Sequence, residues 1–224
     1  MRAMDRPRPA ATVVLVRPGD PGVEVLVERR SADSSFAPGF VVFPGGVVED
    51  EDRRLAEALF RDPSEDVRAC AVRELYEETG ILLEAGGARA VPERPPLLEA
   101  LREAPRQEDL AELARWVAPE FLAVRFDAWF YAVAAPPGVE PTPDGVEISD
   151  AWWTPPGAIV EASVRGEAPL MWPTLVTLEE LEERRSVEEA VSTRIEQIPP
   201  PEPGVQPRRG VWLRPEYRAD GASR

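Results

Sequence analysis

The sequence predicts an α/β fold, a mixed sheet layered between helices as an α/β/α sandwich. Three observations carry that prediction. Apolar, β-branched or aromatic runs at 11–16, 23–27 and 126–134 have the length and composition of strands. Segments with helical spacing, among them 52–60, alternate with the strand-like runs. One further helix, ending at Thr79, carries Glu74, Glu77 and Glu78 at i, i+3 and i+4, which places three carboxylates on one face.

Taken in order, 11–16 and 23–27 flank the turn Arg17-Pro18-Gly19-Asp20-Pro21-Gly22 and form a hairpin. Residues 31–38 are loop-like, and 40–43 form a short strand that enters a glycine corner at Gly45 and Gly46. An extra segment, about 49–62, follows and contains the short helix at 52–60. Asp62-Pro63-Ser64-Glu65 then supplies an N-cap, a proline at the first helical position and a glutamate at the third. Val67, Cys70, Ala71, Val72 and Leu75 form the buried side of this helix, and Gly80 stops it. A strand at 81–83 comes next. Residues 84–120 form a second elaboration, with one or two short helices at 97–101 and 110–117. Residues 126–134 alternate aromatic and small side chains as a central strand, and 146–153 form another after the turn Pro143-Asp144-Gly145. Capping boxes beginning at Thr177 and Ser186 predict two successive helices to about Gln197. The domain expected is a single one over 1–224, with a core at about 10–198. A proline-rich arm at 199–224 includes 211–213 as a candidate edge strand or docking segment.

Three carboxylates on one helical stripe repel one another unless a cation sits among them. A hard divalent ion with oxygen ligands, Mg²⁺ or Mn²⁺, meets that need. The bland alternative is a solvated acidic helix. The string Arg73-Glu74-Leu75-Tyr76-Glu77-Glu78-Thr79-Gly80-Ile81 is more specific than that. It resembles, position for position, the second half of the signature of the Nudix hydrolases, R-E-U-x-E-E-x-G-U with U aliphatic. Glu65 stands eight residues before Arg73, where the first half of the signature has its inner glutamate. The glycine corner lies farther upstream than the signature's glycine, separated by the 49–62 insertion.

The resemblance extends to the coenzyme A branch of the family. Leu26, Arg30, Ser31, Gly39, Phe43, Pro44, Gly45 and Gly46 fall at the spacings of L-L-T-x-R-S-x3-R-x3-G-x3-F-P-G-G. Glu28 stands at the threonine position and Ser35 at the second arginine, both departures. Arg125-Phe126-Asp127-Ala128-Trp129-Phe130, Glu147 six before Trp153, and Pro169-Leu170-Met171-Trp172-Pro173-Thr174 resemble the subfamily with a long insert in its signature. The similarity covers about 23–181. It implies a Nudix-type α/β/α sandwich with a mixed sheet and a metal-bearing central helix. It also implies metal-dependent hydrolysis of a diphosphate linkage in a nucleoside diphosphate derivative, with coenzyme A or acyl-coenzyme A as candidates and ADP-ribose or NADH as the alternative. A catalytically silent, nucleotide-sensing domain is the alternative of another class, and the complete carboxylate set argues against it.

On this reading Glu74, Glu77 and Glu78 are metal ligands and catalytic residues. Glu147 is an extra ligand or general base, with Glu120 as the weaker alternative. Arg30 and Arg125 are candidates for phosphate binding, set against ordinary surface roles, and Gly45 and Gly46 let the backbone approach metal or phosphate. Arg73 orients Glu77 from one turn away, and Glu65 caps the helix or forms an ion pair. Phe126, Trp129 and Phe130 are expected in the core rather than as a substrate platform.

Composition narrows the chemistry further. All 26 basic residues are arginine, and the chain has no histidine. Histidine zinc sites, Ser-His triads and histidine bases are therefore excluded, so a carboxylate must serve as base unless metal activation suffices. A net charge of −15 argues against nonspecific nucleic-acid binding. It leaves room for a phosphorylated small molecule, because a metal and local arginines can reverse the field at a site. The one cysteine, Cys70, forms no internal disulfide and is expected as a small core residue. With no apolar leader and no run of transmembrane length, a cytoplasmic protein without membrane partners is expected, with a homodimer as the candidate assembly.

Overall fold

The structure, a computed structural model, describes residues 6–120, 122 and 124–198. The arm at 199–224, with its segment 211–213, lies outside the described residues. In chain order the elements are β1 (Arg8–Pro18), β2 (Val23–Arg30), β3 (Val41–Val42), β4 (Gly45–Val47), α1 (Asp52–Phe60), α2 (Asp66–Thr79), β5 (Ile81–Glu84), β6 (Gly87–Ala90) and α3 (Leu97–Ala100). They continue with β7 (Ala111–Val117), β8 (Phe126–Ala134), β9 (Ile148–Thr154), α4 (Pro156–Val164), α5 (Trp172–Glu182) and α6 (Val187–Ser192).

A mixed sheet organises the molecule in the order β3-β2-β1-β8-β7, with β4 also pairing β1 and β9 also pairing β2. β1 runs parallel to β8, while its pairings with β2 and β4 are antiparallel. Side-chain alternation along the central strands makes two cores. Val14 and Val16 of β1, Val25 and Val27 of β2, and Phe130 and Ala132 of β8 face one side, where α4, α5 and α6 cover them. Val13 and Leu15, Leu26, and Tyr131 and Val133 face the other, where Cys70, Ala71, Val72 and Leu75 of α2 pack with Leu59 of α1. The result is the expected three-layer α/β/α sandwich, with α2 laid across the sheet centre.

The 49–62 insertion is a separate excursion. α1 ends at Arg61, which adopts the left-handed conformation (φ 57°), and α2 starts afresh beyond it. That start is later than the sequence suggested. Asp62 accepts from the Ser64 backbone N–H at 2.9 Å and from the Ser64 hydroxyl at 2.6 Å, so it closes a turn of its own, and Glu65 occupies the N-cap position. Gly80 ends α2 as anticipated, left-handed with φ 66°.

Several other expectations are corrected. The segment 110–117, rich in Leu, Ala and Glu, is not a helix but strand β7, paired antiparallel with β8. Leu113, Ala114 and Trp116 are buried by that pairing, and a register shift between Glu112 and Ala114 lets adjacent apolar residues turn inward. Sheet pairing and burial there override helix propensity. Thr177 caps nothing. It is fully buried inside α5, which begins five residues earlier with Pro173 in its first turn. Ser186 does cap α6, accepting from the Glu189 N–H at 3.2 Å. The hairpin partner β6 and helix α4 had no counterpart in the sequence reading.

Candidate active site

The three glutamates of α2 face a cavity of about 870 Å³ whose rim also carries Gly45, Gly46, Arg30 and Glu147. Its lining also includes the aromatic residues Trp116, Phe126, Phe130 and Trp172. Phe126 therefore lies at the cavity, edge-on to Phe36 at 5.4 Å, whereas Phe130 is both buried and cavity-lining. Trp129 is half-buried against the core and stacks under Arg115.

α2 is fixed against the glycine corner by several contacts. The Gly45 N–H donates to the Glu78 carboxylate at 2.8 Å, and the Arg73 guanidinium donates to the Val47 carbonyl at 3.3 Å. The two glycines have different tasks. A Cβ on Gly45, whose φ is 158°, would run into the backbone of Ala11 and Thr12 across the sheet. A Cβ on Gly46 would run into the Glu74 carboxylate. Gly45 thus permits the β1–β4 approach, and Gly46 makes room for a site carboxylate.

Arg73 is the hub. It is almost buried and donates to Glu74 at 2.8 Å and to Glu77 at 3.0 Å, the latter the i, i+4 contact read from the sequence. Its other face makes a two-pronged bond to Asp52 of α1, at 2.8 and 2.9 Å, and Asp52 also accepts from the Glu49 N–H. Asp52 was missed by sequence reasoning. A helix-start aspartate carries no signal that its partner lies on the next helix.

The carboxylates are poorly neutralised. Burial pushes the Glu74 carboxyl up to about 7, against the pull of Arg73. Glu78 is pushed well above the ordinary carboxylate range by burial and by the charge of Glu28. Glu28, on β2, is itself fully buried and pushed up to about 8 by desolvation. It was noticed in the sequence only as a departure from a pattern. The alternation of β2 was the available signal, since Glu28 shares the side of Leu26 that faces α2.

Glu147 sits immediately before β9 rather than within a strand, exposed on the rim. Asp144 shapes this loop by accepting from the N–H groups of Val146, Glu147 and Ile148 at 2.9–3.2 Å. The Asp144 N–H donates to the Glu78 carbonyl at 3.1 Å, and the Ser31 N–H donates to the Glu147 carbonyl at 2.8 Å. The loop is thereby tied both to the end of α2 and to the residue after Arg30. Arg30 reaches the cavity while donating to the Phe36 carbonyl at 2.9 Å and to Ser34 at 2.8 Å.

Other predicted residues lie elsewhere. Arg125 is not part of the cavity wall and donates to the Ala118 carbonyl at 3.1 Å; Arg8, on the neighbouring strand, lines the cavity instead. Glu65 pairs with Arg68 away from the cavity, which is the ion-pair alternative. Glu120 is exposed and also outside the cavity.

Among the described residues no three carboxylates already converge into a ligand shell, because Arg73 draws Glu74 and Glu77 to itself. The donor chemistry nonetheless fits a hard divalent cation. All the groups are carboxylate oxygens, they lack sufficient positive charge, and the Glu77 side chain, 56% exposed, has room to swing.

The chain thus combines a layered α/β/α fold with a Glu-x-x-Glu-Glu helix that faces a cavity beside a glycine corner. The NUDIX domain family model matches residues 6–173, and the chain belongs to the Nudix family. A Caenorhabditis elegans protein named as nudix hydrolase 7 is 28% identical over 172 residues, 70% of this chain and 55% of that protein. A peroxisomal coenzyme A diphosphatase of the same organism is 36% identical over 69 residues, 31% of this chain and 25% of that one. The chain thus spans about half the length of the first of these relatives and a quarter of the second. The crystal structure of a NUDIX hydrolase from Alicyclobacillus acidocaldarius is 31% identical with a TM-score of 0.72, covering 88% of this chain and all of that one. A Shewanella oneidensis NUDIX domain solved with ADP ribose shares the fold at 17% identity and a TM-score of 0.52. Among the described residues no helix is long and apolar enough to cross a membrane.

Proposed function

We propose that the protein hydrolyses the diphosphate linkage of a nucleoside diphosphate derivative, with Glu74, Glu77 and Glu78 holding Mg²⁺ or Mn²⁺. The observation that carries this is the presentation of those three carboxylates to one cavity, with the Gly45–Gly46 backbone beside them. A divalent cation bound there supplies positive charge against the diphosphate oxygens and acidifies a water. Gly45 keeps Glu78 in place through its N–H, and Gly46 leaves the space that Glu74 fills. Arg73 orients Glu74 and Glu77 and restrains their repulsion. Glu147, held on the rim by the Asp144 turn, takes the proton of the attacking water on a carboxylate oxygen. Arg30 and Arg8 offer guanidinium groups to the phosphates from the cavity lining. The aromatic wall accepts the organic part of the substrate.

Coenzyme A or an acyl-coenzyme A is the substrate class favoured here, supported by the partial similarity to a coenzyme A diphosphatase and by the Arg30-Ser31 to Gly46 spacing. The test is a panel assay with Mg²⁺ against coenzyme A, its dephospho form, acyl-coenzyme A, ADP-ribose, NADH and dinucleoside polyphosphates. Metal-dependent release of a phosphorylated product from any of them supports the reaction. A strong preference for dephospho-coenzyme A or ADP-ribose rejects the coenzyme A assignment. Inactivity across the panel rejects the hydrolase reading.

A further inference from the structure

Glu28 is a fully buried carboxyl that the mechanism above does not use. Strand β2 sends Val25 and Val27 into one core and Leu26 into the other, so the next residue on the Leu26 side faces α2. That residue is Glu28, with 0% of its surface exposed and, among the described residues, no N–H or hydroxyl donor on either carboxylate oxygen. An isolated buried carboxylate is costly, and such groups are normally paired or metal-bound. The side chain against it is another carboxyl, that of Glu78. Between them the two groups offer four oxygens; the carboxyls lie within hydrogen-bonding reach of each other, and among the described residues the one N–H that meets them is that of Gly45, on Glu78. Arg30, two residues along β2, turns its Nε and one terminal nitrogen to Phe36 and Ser34. Two adjoining carboxyls of this kind suit a hard cation that takes an oxygen from each.

We propose that Glu28 is a fourth carboxylate ligand of the metal centre, reaching the cation from the sheet side while Glu74, Glu77 and Glu78 reach it from α2. This rests on the metal-dependent reading above. It makes the centre a joint between sheet and helix rather than a feature of α2 alone.

The test is Mn²⁺ binding without substrate, followed through the EPR signal of free Mn²⁺, in the wild type, Glu28→Gln and Glu77→Gln. Glu28→Gln keeps the shape of the side chain and removes its charge. Its Mn²⁺ affinity should fall by about tenfold or more, at least the loss seen when supporting groups of a metal site are removed. Affinity unchanged in Glu28→Gln, with Glu77→Gln weakened, overturns the proposal and leaves the metal-dependent reading intact; it would mean that Glu28 and Glu78 simply share a proton. Absence of Mn²⁺ binding by the wild type overturns both. Wild-type crystals soaked in Mn²⁺ decide the matter should Glu28→Gln fail to fold. An anomalous peak at coordination distance, about 2.0–2.5 Å, from a Glu28 oxygen supports the assignment, and a peak bonded to α2 carboxylates alone overturns it.

Discussion

Replacing Asp52 by alanine should reveal how the insertion is fastened to the site. Asp52 is fully buried at the start of α1 and grips Arg73 with both oxygens, at 2.8 and 2.9 Å. It also accepts from the Glu49 N–H at 2.8 Å, closing the turn that opens α1. Removing one partner of a buried pair leaves the other charge desolvated, which costs about 3–5 kcal/mol. Each kcal/mol shifts the melting point of a chain of this size by about 2–4 °C, so a fall of roughly 6–20 °C is expected. Arg73 keeps Glu74 and Glu77 as partners, which places the loss toward the lower end. The assay is urea unfolding in EDTA at neutral pH, with Asp52→Leu/Arg73→Met as the companion variant. That double substitution removes both charges and should recover most of the stability. A loss under about 1 kcal/mol in Asp52→Ala, or a double variant no more stable than the single one, would refute the idea that this pair holds α1 to α2.

Glu77→Gln or Glu78→Gln should lower Mg²⁺-dependent turnover by about 100-fold or more while the circular dichroism spectrum is kept, since metal-assisted charge stabilisation amounts to several kcal/mol; near-full activity in either variant would show the site assignment wrong. Gly46→Ala should fold but bind Mn²⁺ more weakly, because its Cβ displaces the movable Glu74 side chain, whereas Gly45→Ala should lose about 1–3 kcal/mol of stability because its Cβ meets the backbone of β1; equal melting points for the two would contradict this. Without metal, stability should decline as pH rises from about 5 to 8. The folded values of Glu74 and Glu28 stand at about 7 and 8 against 4.5 for the ordinary group, so in that window the folded state binds more protons than the unfolded one. Millimolar Mg²⁺ should flatten or reverse that decline, and a melting point that rises with pH in EDTA would be incompatible with these shifts.

Much of the fold was legible because its signals are local. The β1–β2 hairpin, the central strand β8 and the Gly80 stop each follow from a few neighbouring residues, and each is present. The misread elements are those whose state depends on distant partners. Residues 111–117 have a helix-forming composition, yet the free edge of β8 takes them as a strand and buries Leu113 and Trp116. Thr177 followed by Glu179 and Glu180 mimics a helix start, but Pro173 had already begun the helix and Thr177 is buried within it. Asp62 offers the same lesson at smaller scale: its side chain satisfied Ser64 instead of the first turn of α2.

The site divides along the same line. Glu74, Glu77 and Glu78 could be read because their relation is a property of one helix, fixed by its 3.6-residue period. Asp52 could not, and for Glu28 the alternation of β2 gives only the side it faces, because each acquires its meaning from a partner brought against it by folding: Arg73 for the first, Glu78 for the second. The two relations act in the same direction on α2. Asp52 supplies negative charge that holds Arg73 back from committing wholly to Glu74 and Glu77, and Glu28 adds negative charge beside Glu78, so both raise the demand for a cation. The insertion is therefore coupled to the carboxylate helix through Arg73, and the sheet through Glu28. A variant that changes either partner should alter metal affinity without touching any residue of the Glu-x-x-Glu-Glu string.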